Sequence, residues 1–273
     1  MTQVIKRVVV PLDAASETRT AIDTAARLAA RWQVPMRGVF VEDEELVGLA
    51  RLPFACQVTL ATGREPLTKE HVDDHFRASA ERAQRELAAA AAHHGVDWSF
   101  EVVHGPFAAN ALGGAERDFV VAGAATRPIG HFRVPSRWWS LMAIIARPFL
   151  LAKREWETGG SVLTVLRNRG PESARVLDIS AHMAGFCSGR LTVVGPPDPA
   201  GSDDFGAWVS GLLAGHSLTL RTEPAATEPS ALRRRISELD CRLLVLEGNP
   251  DEAQPDDLRE RFAHLACDLL VVR

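Results

Sequence analysis

A chain of 273 residues with 46% apolar and 24% charged residues is long enough to bury one large core or two of average size. Its formal charge of −4 provides no whole-surface attraction for a polyanion, so nucleic acid is not an expected partner. Cys56, Cys187, Cys241 and Cys267 are far apart and form no CxxC, which excludes a zinc knuckle and a disulfide framework and reads as core thiols in a reducing compartment. The longest apolar stretch, residues 141–152, is interrupted by Arg147 and Pro148 and is too short to cross a bilayer. A strand begins within four residues of the start, which leaves no room for a signal peptide and predicts a soluble, cytoplasmic protein with no membrane partner.

Residues 4–12 are a continuous β-branched run, not an alternating one, which predicts a strand buried on both faces. After Asp13 comes Ala14-Ala15-Ser16, then a helix to about Trp32 with Ile22, Ala25, Ala26, Leu28 and Ala29 on its apolar side. Pro35 closes the turn into a second strand over 36–41. Glu42-Asp43-Glu44-Glu45 then opens a connection of about twenty-five residues, where roughly 2–6 are usual. It carries Leu46, Leu49, Leu52, Phe54, Val58 and Leu60, so it reads as ordered, either a lid over a crevice or an interface surface. A helix over 68–94, rich in Ala, Glu, Arg and Gln, is stopped by Gly95. Residues 98–103 alternate like a strand, and Gly105-Pro106 turns into a short helix to Gly113-Gly114. Residues 119–122 form a fourth strand whose exit is a loop, and a helix from near Ser136 leads to a fifth strand over 148–153. Strands alternating with helices predict a parallel sheet with right-handed crossovers.

A linker over 155–160 separates this half from a second. There, strands over 162–166, 191–194, 218–221, 243–246 and 268–272 alternate with helices over 171–185, 203–213, 230–239 and 255–265. The order βαβαβαβαβ thus occurs twice, an internal duplication by element pattern with little residue identity, with domains at 1–155 and 160–273. If the strands ending at Leu12 and Ala122 lie side by side, their exits form the crevice where doubly wound sheets bind ligands.

The run Arg7-Val-Val-Val-Pro-Leu-Asp13, the strands ending at Val41 and Val103, and Phe119-Val-Val-Ala-Gly123 followed by a closing apolar strand resemble a universal stress protein domain. The tandem form of that family covers essentially the whole chain. The resemblance implies an α/β fold of two doubly wound five-stranded parallel sheets in the order 3-2-1-4-5, of the adenine nucleotide α-hydrolase type. It also implies pairing through the fifth strands, here residues 148–152 and 269–273, which would make an intrachain pseudo-dimer and leave a further homodimer open. Some members bind ATP through an Asp after the first strand and a G-x2-G-x9-G-S/T loop after the fourth. Glycines there let backbone N–H groups approach phosphate oxygens.

In this chain Asp13 and Gly123 are in place, Thr126 holds the second glycine position, and Ser136 and Arg137 hold the third glycine and the Ser/Thr. The loop is degenerate. On the resemblance, the candidate nucleotide or anion site comprises Pro11, Asp13, Val39, Gly123, Thr126, Arg127, Arg133, Ser136 and Arg137, with ATP or another adenine nucleotide as the cofactor. Arg127, His131, Arg133 and Arg137 make the segment a cluster of cations, and Arg grips phosphate or carboxylate through paired donors. The cluster is either an anion site of altered geometry or a solvated basic loop pairing with the acids at 42–45. In the second half Arg167 stands at the Asp position, and Glu247-Gly-Asn-Pro250 followed by Asp251 and Glu252 would repel a triphosphate. Arg167 and Glu247 are expected to meet and plug that crevice, making the second domain structural.

His71 and His75 lie four apart on one helix, but the Glu of HExxH is missing and no third ligand stands out, so no metal is assigned. His93 and His94 suit the last turn of a helix. Trp138 and Trp139 either stack on a base or pack in an interface. Arg233-Arg-Arg235 reads as helix surface. No Ser-His-Asp or Cys-His arrangement and no Walker-type lysine presents itself, so no catalytic residue is assigned. The expected function is a non-catalytic stress-response protein whose first domain binds a nucleotide or another small anion. The alternative is a ligand-free scaffold acting on a protein partner through the 42–67 connection or the sheet edges. A third reading, an ATPase, lacks both a phosphate-positioning lysine and a metal-binding acid pair.

Overall fold

The structure, a computed structural model, describes residues 5–14, 19–43, 47–48, 50–52, 54–59, 63–105, 117–124, 128–129, 132–133, 138, 141–142, 145–156, 159–196, 204–224, 229–248, 260, 262 and 264–273. Contacts divide it into two compact units, an N-terminal one over Lys6–Arg137 and a C-terminal one over Trp138–Arg273 that also takes in Met1–Ile5.

In the N-terminal unit the β-branched run forms β1 (Arg7–Leu12), flanked by β2 (Met36–Asp43) and β6 (Asp118–Gly123), with β5 (Trp98–Gly105) beyond β2. All three pairings are parallel, giving the order β6-β1-β2-β5. Val8, Val9 and Val10 of β1 and Phe119–Ala122 of β6 are fully buried, as a strand covered on both faces requires. Helix α1 (Arg19–Trp32) buries Ala21, Ile22, Ala25, Ala26, Leu28 and Ala29, and Trp32 meets Phe119 edge to face at 4.9 Å. At the start of β1 and β6, Arg7 Nη2 donates to the buried Asp118 carboxylate at 2.7 Å, which fixes the register of the central pair. Helix α2 (Lys69–His94) begins at Thr68, whose hydroxyl accepts from the His71 amide at 3.2 Å, and ends at Gly95 with φ of 66°.

The connection between β2 and α2 contains more regular structure than its composition predicts. Strands β3 (Cys56–Thr59) and β4 (Gly63–Pro66) form an antiparallel hairpin that returns through Gly63. Beyond β6, the two-residue strands β7 (Pro128–Ile129) and β8 (Phe132–Arg133) also pair antiparallel, in keeping with an exit that is not a helix. The short helix expected over 106–114 lies outside the described residues, as does most of the one starting near Ser136.

In the C-terminal unit β10 (Ser161–Val165), β11 (Arg190–Gly195), β12 (Thr219–Pro224), β13 (Cys241–Glu247) and β14 (Asp268–Val272) are parallel in the order β12-β11-β10-β13-β14, the 3-2-1-4-5 arrangement. Helices α3 (Pro171–Phe186), α4 (Asp204–Leu212) and α5 (Pro229–Glu238) supply described parts of the crossovers. The last strand expected of the first half, β9 (Phe149–Ala152), runs antiparallel to β14 with Leu151 opposite Leu269 and Phe149 opposite Val271. This is the contact expected of the two fifth strands.

The stretch over 155–160, read as a linker, is packed at its start. Trp156 is only 4% exposed, and the Arg242 guanidinium lies 5.5 Å from its ring while donating to the carbonyls of Arg154 and Glu155. Asp268 Oδ1 accepts from the amides of Lys153 at 2.7 Å and Arg154 at 3.3 Å. Lys153 Nζ donates to the carbonyls of Phe262 and Leu265. These bonds tie the segment after β9 to β13 and β14, so the compact units divide at 137/138, ahead of residue 155. Among the described residues no helix is long and apolar enough to cross a membrane.

Candidate functional site

The pairing of β1 with β6 sets Val8 opposite Phe119 and Val9 opposite Val120; carried forward, that register brings Leu12 level with Gly123. Asp13 follows β1 directly and Gly123 ends β6, so both stand at the same end of two adjacent central strands. Asp13 is half-buried, and Gly123 is buried. On the other flank Pro11 pairs with Val39 and Leu12 with Phe40. Pro11 and Val39 are buried in the sheet, so they can form a wall but offer no side-chain hydrogen bond. The backbone of Arg133 lies in β8, opposite Pro128. Thr126, Arg127, His131, Ser136 and Arg137 lie outside the described residues. The acids considered as partners of the basic segment include Glu42, whose Oε2 lies 2.7 Å from His104 Nδ1 at the ends of β2 and β5.

Side chains pack against several of the corresponding strand ends in the C-terminal unit. Glu247, at the end of β13, accepts from the Arg167 amide at 2.8 Å, and Ser173 Oγ lies 2.8 Å from the same carboxylate oxygen. Arg167 and Glu247 therefore meet as expected, but this bond runs through the backbone N–H of Arg167. Ser173 Oγ is also 2.8 Å from Asn168 Oδ1, and its single proton serves one acceptor at a time. At the end of β11 a Cβ on Gly195 would stand 2.1 Å from Phe205 Cζ, so the phenyl ring is seated directly on the strand exit. Arg169 covers that ring from 5.7 Å and pairs with Asp204 at 2.8 Å. After β13, a Cβ on Gly248 would stand 2.7 Å from Arg273 Cγ. Arg273 Nη1 donates to the Ile145 carbonyl at 3.3 Å, and burial lowers the pKa of this guanidinium from its ordinary value.

The two sets of exits differ in residue type and burial. In the N-terminal unit the half-buried Asp13, directly after β1, stands beside the buried Gly123 that ends β6. In the C-terminal unit the same positions are Arg167, which is exposed, and Glu247, a buried acid whose carboxylate accepts from the Arg167 amide. A separate groove of about 660 Å³ between α2 and β5, lined by Lys69, Asp73, Arg77, Gln84, Glu101 and Val102 among others, includes none of the predicted site residues.

No family model and no curated protein sequence matches the chain. Solved structures do. A universal stress protein from Archaeoglobus fulgidus superposes with a TM-score of 0.68 over 100% of this chain and 97% of its own, at 11% identity. A putative universal stress protein from Pseudomonas aeruginosa gives a TM-score of 0.63 over 99% and 94%, at 17% identity. The chain has the universal stress protein fold. At these identities the likeness covers the path of the backbone and not the chemistry of the exits.

Within the universal stress protein fold, Phe205, Ser173 and Arg273 fill the C-terminal exits without having been singled out in the sequence. Their signal is weak because each comes from a different element and none belongs to a motif. A second group that went unnoticed, Asp178, His182 and His216, also lies in this unit. Asp178 and His182 carry a readable signal, a spacing of four on a predicted helix, whereas His216 carries none.

Proposed function

We propose that the chain is a non-catalytic stress-response protein of the cytoplasm, similar in role to universal stress proteins. Its N-terminal unit binds an adenine nucleotide or a related small anion at the exits of β1 and β6. The observation that supports this reading is that Asp13 and Gly123 stand at the same end of adjacent central strands, whereas the equivalent C-terminal positions hold Arg167 and Glu247. Asp13 would accept from ribose hydroxyls, Gly123 would admit a phosphate to the backbone, and Arg127, Arg133 and Arg137 would supply cationic donors in place of the missing glycines. The second domain of a tandem pair, 160–273, then has a structural role.

A thermal-shift titration with ATP, ADP, AMP and inorganic phosphate tests the reading. A ligand at about a hundred times its Kd stabilises the native state by about 2.7 kcal/mol, a rise of several degrees in Tm. That rise is expected to saturate with a nucleotide and to vanish in Asp13→Ala and Arg137→Ala. Absence of any shift at millimolar nucleotide would reject it. A second reading, a scaffold for a protein partner, draws on the β2–α2 connection, where Phe54 is 73% and Leu52 40% exposed. On that reading a Phe54→Ser, Leu52→Ser variant loses partner capture while nucleotide has no effect.

A further inference from the structure

Helix α3 turns its apolar positions Val176, Leu177, Ile179, Met183 and Ala184 into the C-terminal core. Asp178 and His182, four residues apart, therefore share one outward face of the helix. The turn after α4 brings His216 to that face, and it is held there by His216 N donating to Leu213 O at 2.9 Å and Leu218 N donating to His216 O at 3.1 Å. One potential ligand atom from each of the three side chains lies within 4.8 Å of the other two. The two imidazole rings stand edge to face, 5.1 Å apart at 80°.

The three groups converge without bonding to one another. Asp178 Oδ1 is 3.7 Å from His182 Nδ1 and 3.9 Å from His216 Nε2, both beyond hydrogen-bond reach. Both are ion-pair distances for protonated imidazoles, and both are separations that a shared cation can span. His182 Nδ1 instead lies 2.8 Å from the backbone carbonyl of Asp178. In the neutral ring that bond puts the proton on Nδ1 and fixes the ring's orientation, so coordination through Nδ1, the nitrogen that faces the Asp178 carboxylate, would replace it, and coordination through Nε2 would need the ring to turn.

We propose that Asp178, His182 and His216 form a binding site for a first-row divalent metal ion, with zinc(II) the expected occupant. Two imidazoles and one carboxylate are the donor set that zinc accepts at about 2.0–2.2 Å, and a tetrahedral ion needs its ligands roughly 3.4 Å apart. Small side-chain rotations bring Asp178 to that spacing from its separations of 3.7 and 3.9 Å. Magnesium and calcium prefer all-oxygen sites and are not expected to bind here. All three side chains are partly exposed, at 34, 38 and 26%, so a fourth position faces solvent and takes water or a donor from outside the chain. The bound ion would cross-link α3 to the turn after α4. His71 and His75 on α2 have the same spacing of four, but no three-residue ligand cluster containing them is present among the described residues.

The test is zinc competition against a chromogenic chelator, using untagged full-length protein stripped of metal, with cobalt(II) as a spectroscopic substitute. Wild type is expected to bind one equivalent of zinc, gain Tm with zinc but not magnesium, and give visible cobalt bands. His182→Ala, His216→Ala and Asp178→Asn should each weaken zinc binding by at least about tenfold and remove the cobalt bands. A His71→Ala, His75→Ala double variant should retain both. Circular dichroism of the metal-free variants separates loss of a ligand from loss of the fold, and His216→Gln provides a milder replacement at the turn. The proposal is overturned if wild type takes up no zinc under competition, if folded His216→Ala binds as wild type does, or if only the His71/His75 variant loses the metal.

Discussion

The strand exits of the two units share a topology and differ in what occupies them. In the N-terminal unit β1 runs into Asp13 and β6 ends at Gly123. In the C-terminal unit the first strand of the unit's doubly wound sheet runs into Leu166 and Arg167, and its neighbour β13 ends at Glu247 and Gly248. Glu247 satisfies its carboxylate with an amide and a hydroxyl, Phe205 sits on Gly195, and Arg273 crosses Gly248. The sheet thus provides a crevice by construction, and a handful of side chains decide whether it remains a binding site or becomes core. In the C-terminal unit, side chains pack against the ends of β11 and β13.

If that is right, substitutions at the C-terminal exits should act on stability, and those at the N-terminal exits on binding. The largest effect is expected at Asp268, next to the packed segment after β9. Asp268→Ala leaves the amides of Lys153 and Arg154 without their acceptor and should cost about 3 kcal/mol, read from the urea midpoint. Gly195→Ala forces a Cβ against Phe205 and should cost about 2 kcal/mol by the same measurement. Glu247→Gln weakens the bond to the Arg167 amide and should cost about 1 kcal/mol while leaving any nucleotide affinity unchanged.

A smaller effect separates burial from pairing at Asp268. Burial raises its pKa above the ordinary 3.8, outweighing the amides of Lys153 and Arg154 and the attraction of Arg242. The native state therefore takes up this proton before the unfolded state does. Stability from this group rises as pH falls through the native pKa and is complete below 3.8. The difference in unfolding free energy between wild type and Asp268→Asn should accordingly shift in favour of wild type on acidification. A difference that is flat or moves the other way would mean that pairing with Arg242 dominates.

The architecture was legible where local chemistry and pattern agree. Thr68 and Gly95 bracket α2 in sequence as they do in space, and the apolar runs of β1, β6 and β13 became buried central strands. The β3–β4 hairpin was obscured because each strand has only four residues and Gly63 alone marks the turn. The packing at 155–156 was not legible because composition cannot reveal that Arg242, eighty-six positions beyond Trp156, covers its ring. The same limit applies to the site. Asp13 and Gly123 were readable because each ends a recognisable strand, whereas Phe205, Arg273 and His216 act through contacts between elements distant in sequence.

The most direct test asks which crevice holds the ligand. Photo-crosslinking with an azido-adenine nucleotide, followed by peptide mapping, should label peptides at the exits of β1 and β6, near Asp13 and Gly123. Excess ATP should compete the label away, and Asp13→Ala should abolish it. Labelling of the peptides carrying Arg167 or Glu247, or labelling at either exit that ATP does not displace, would contradict the account.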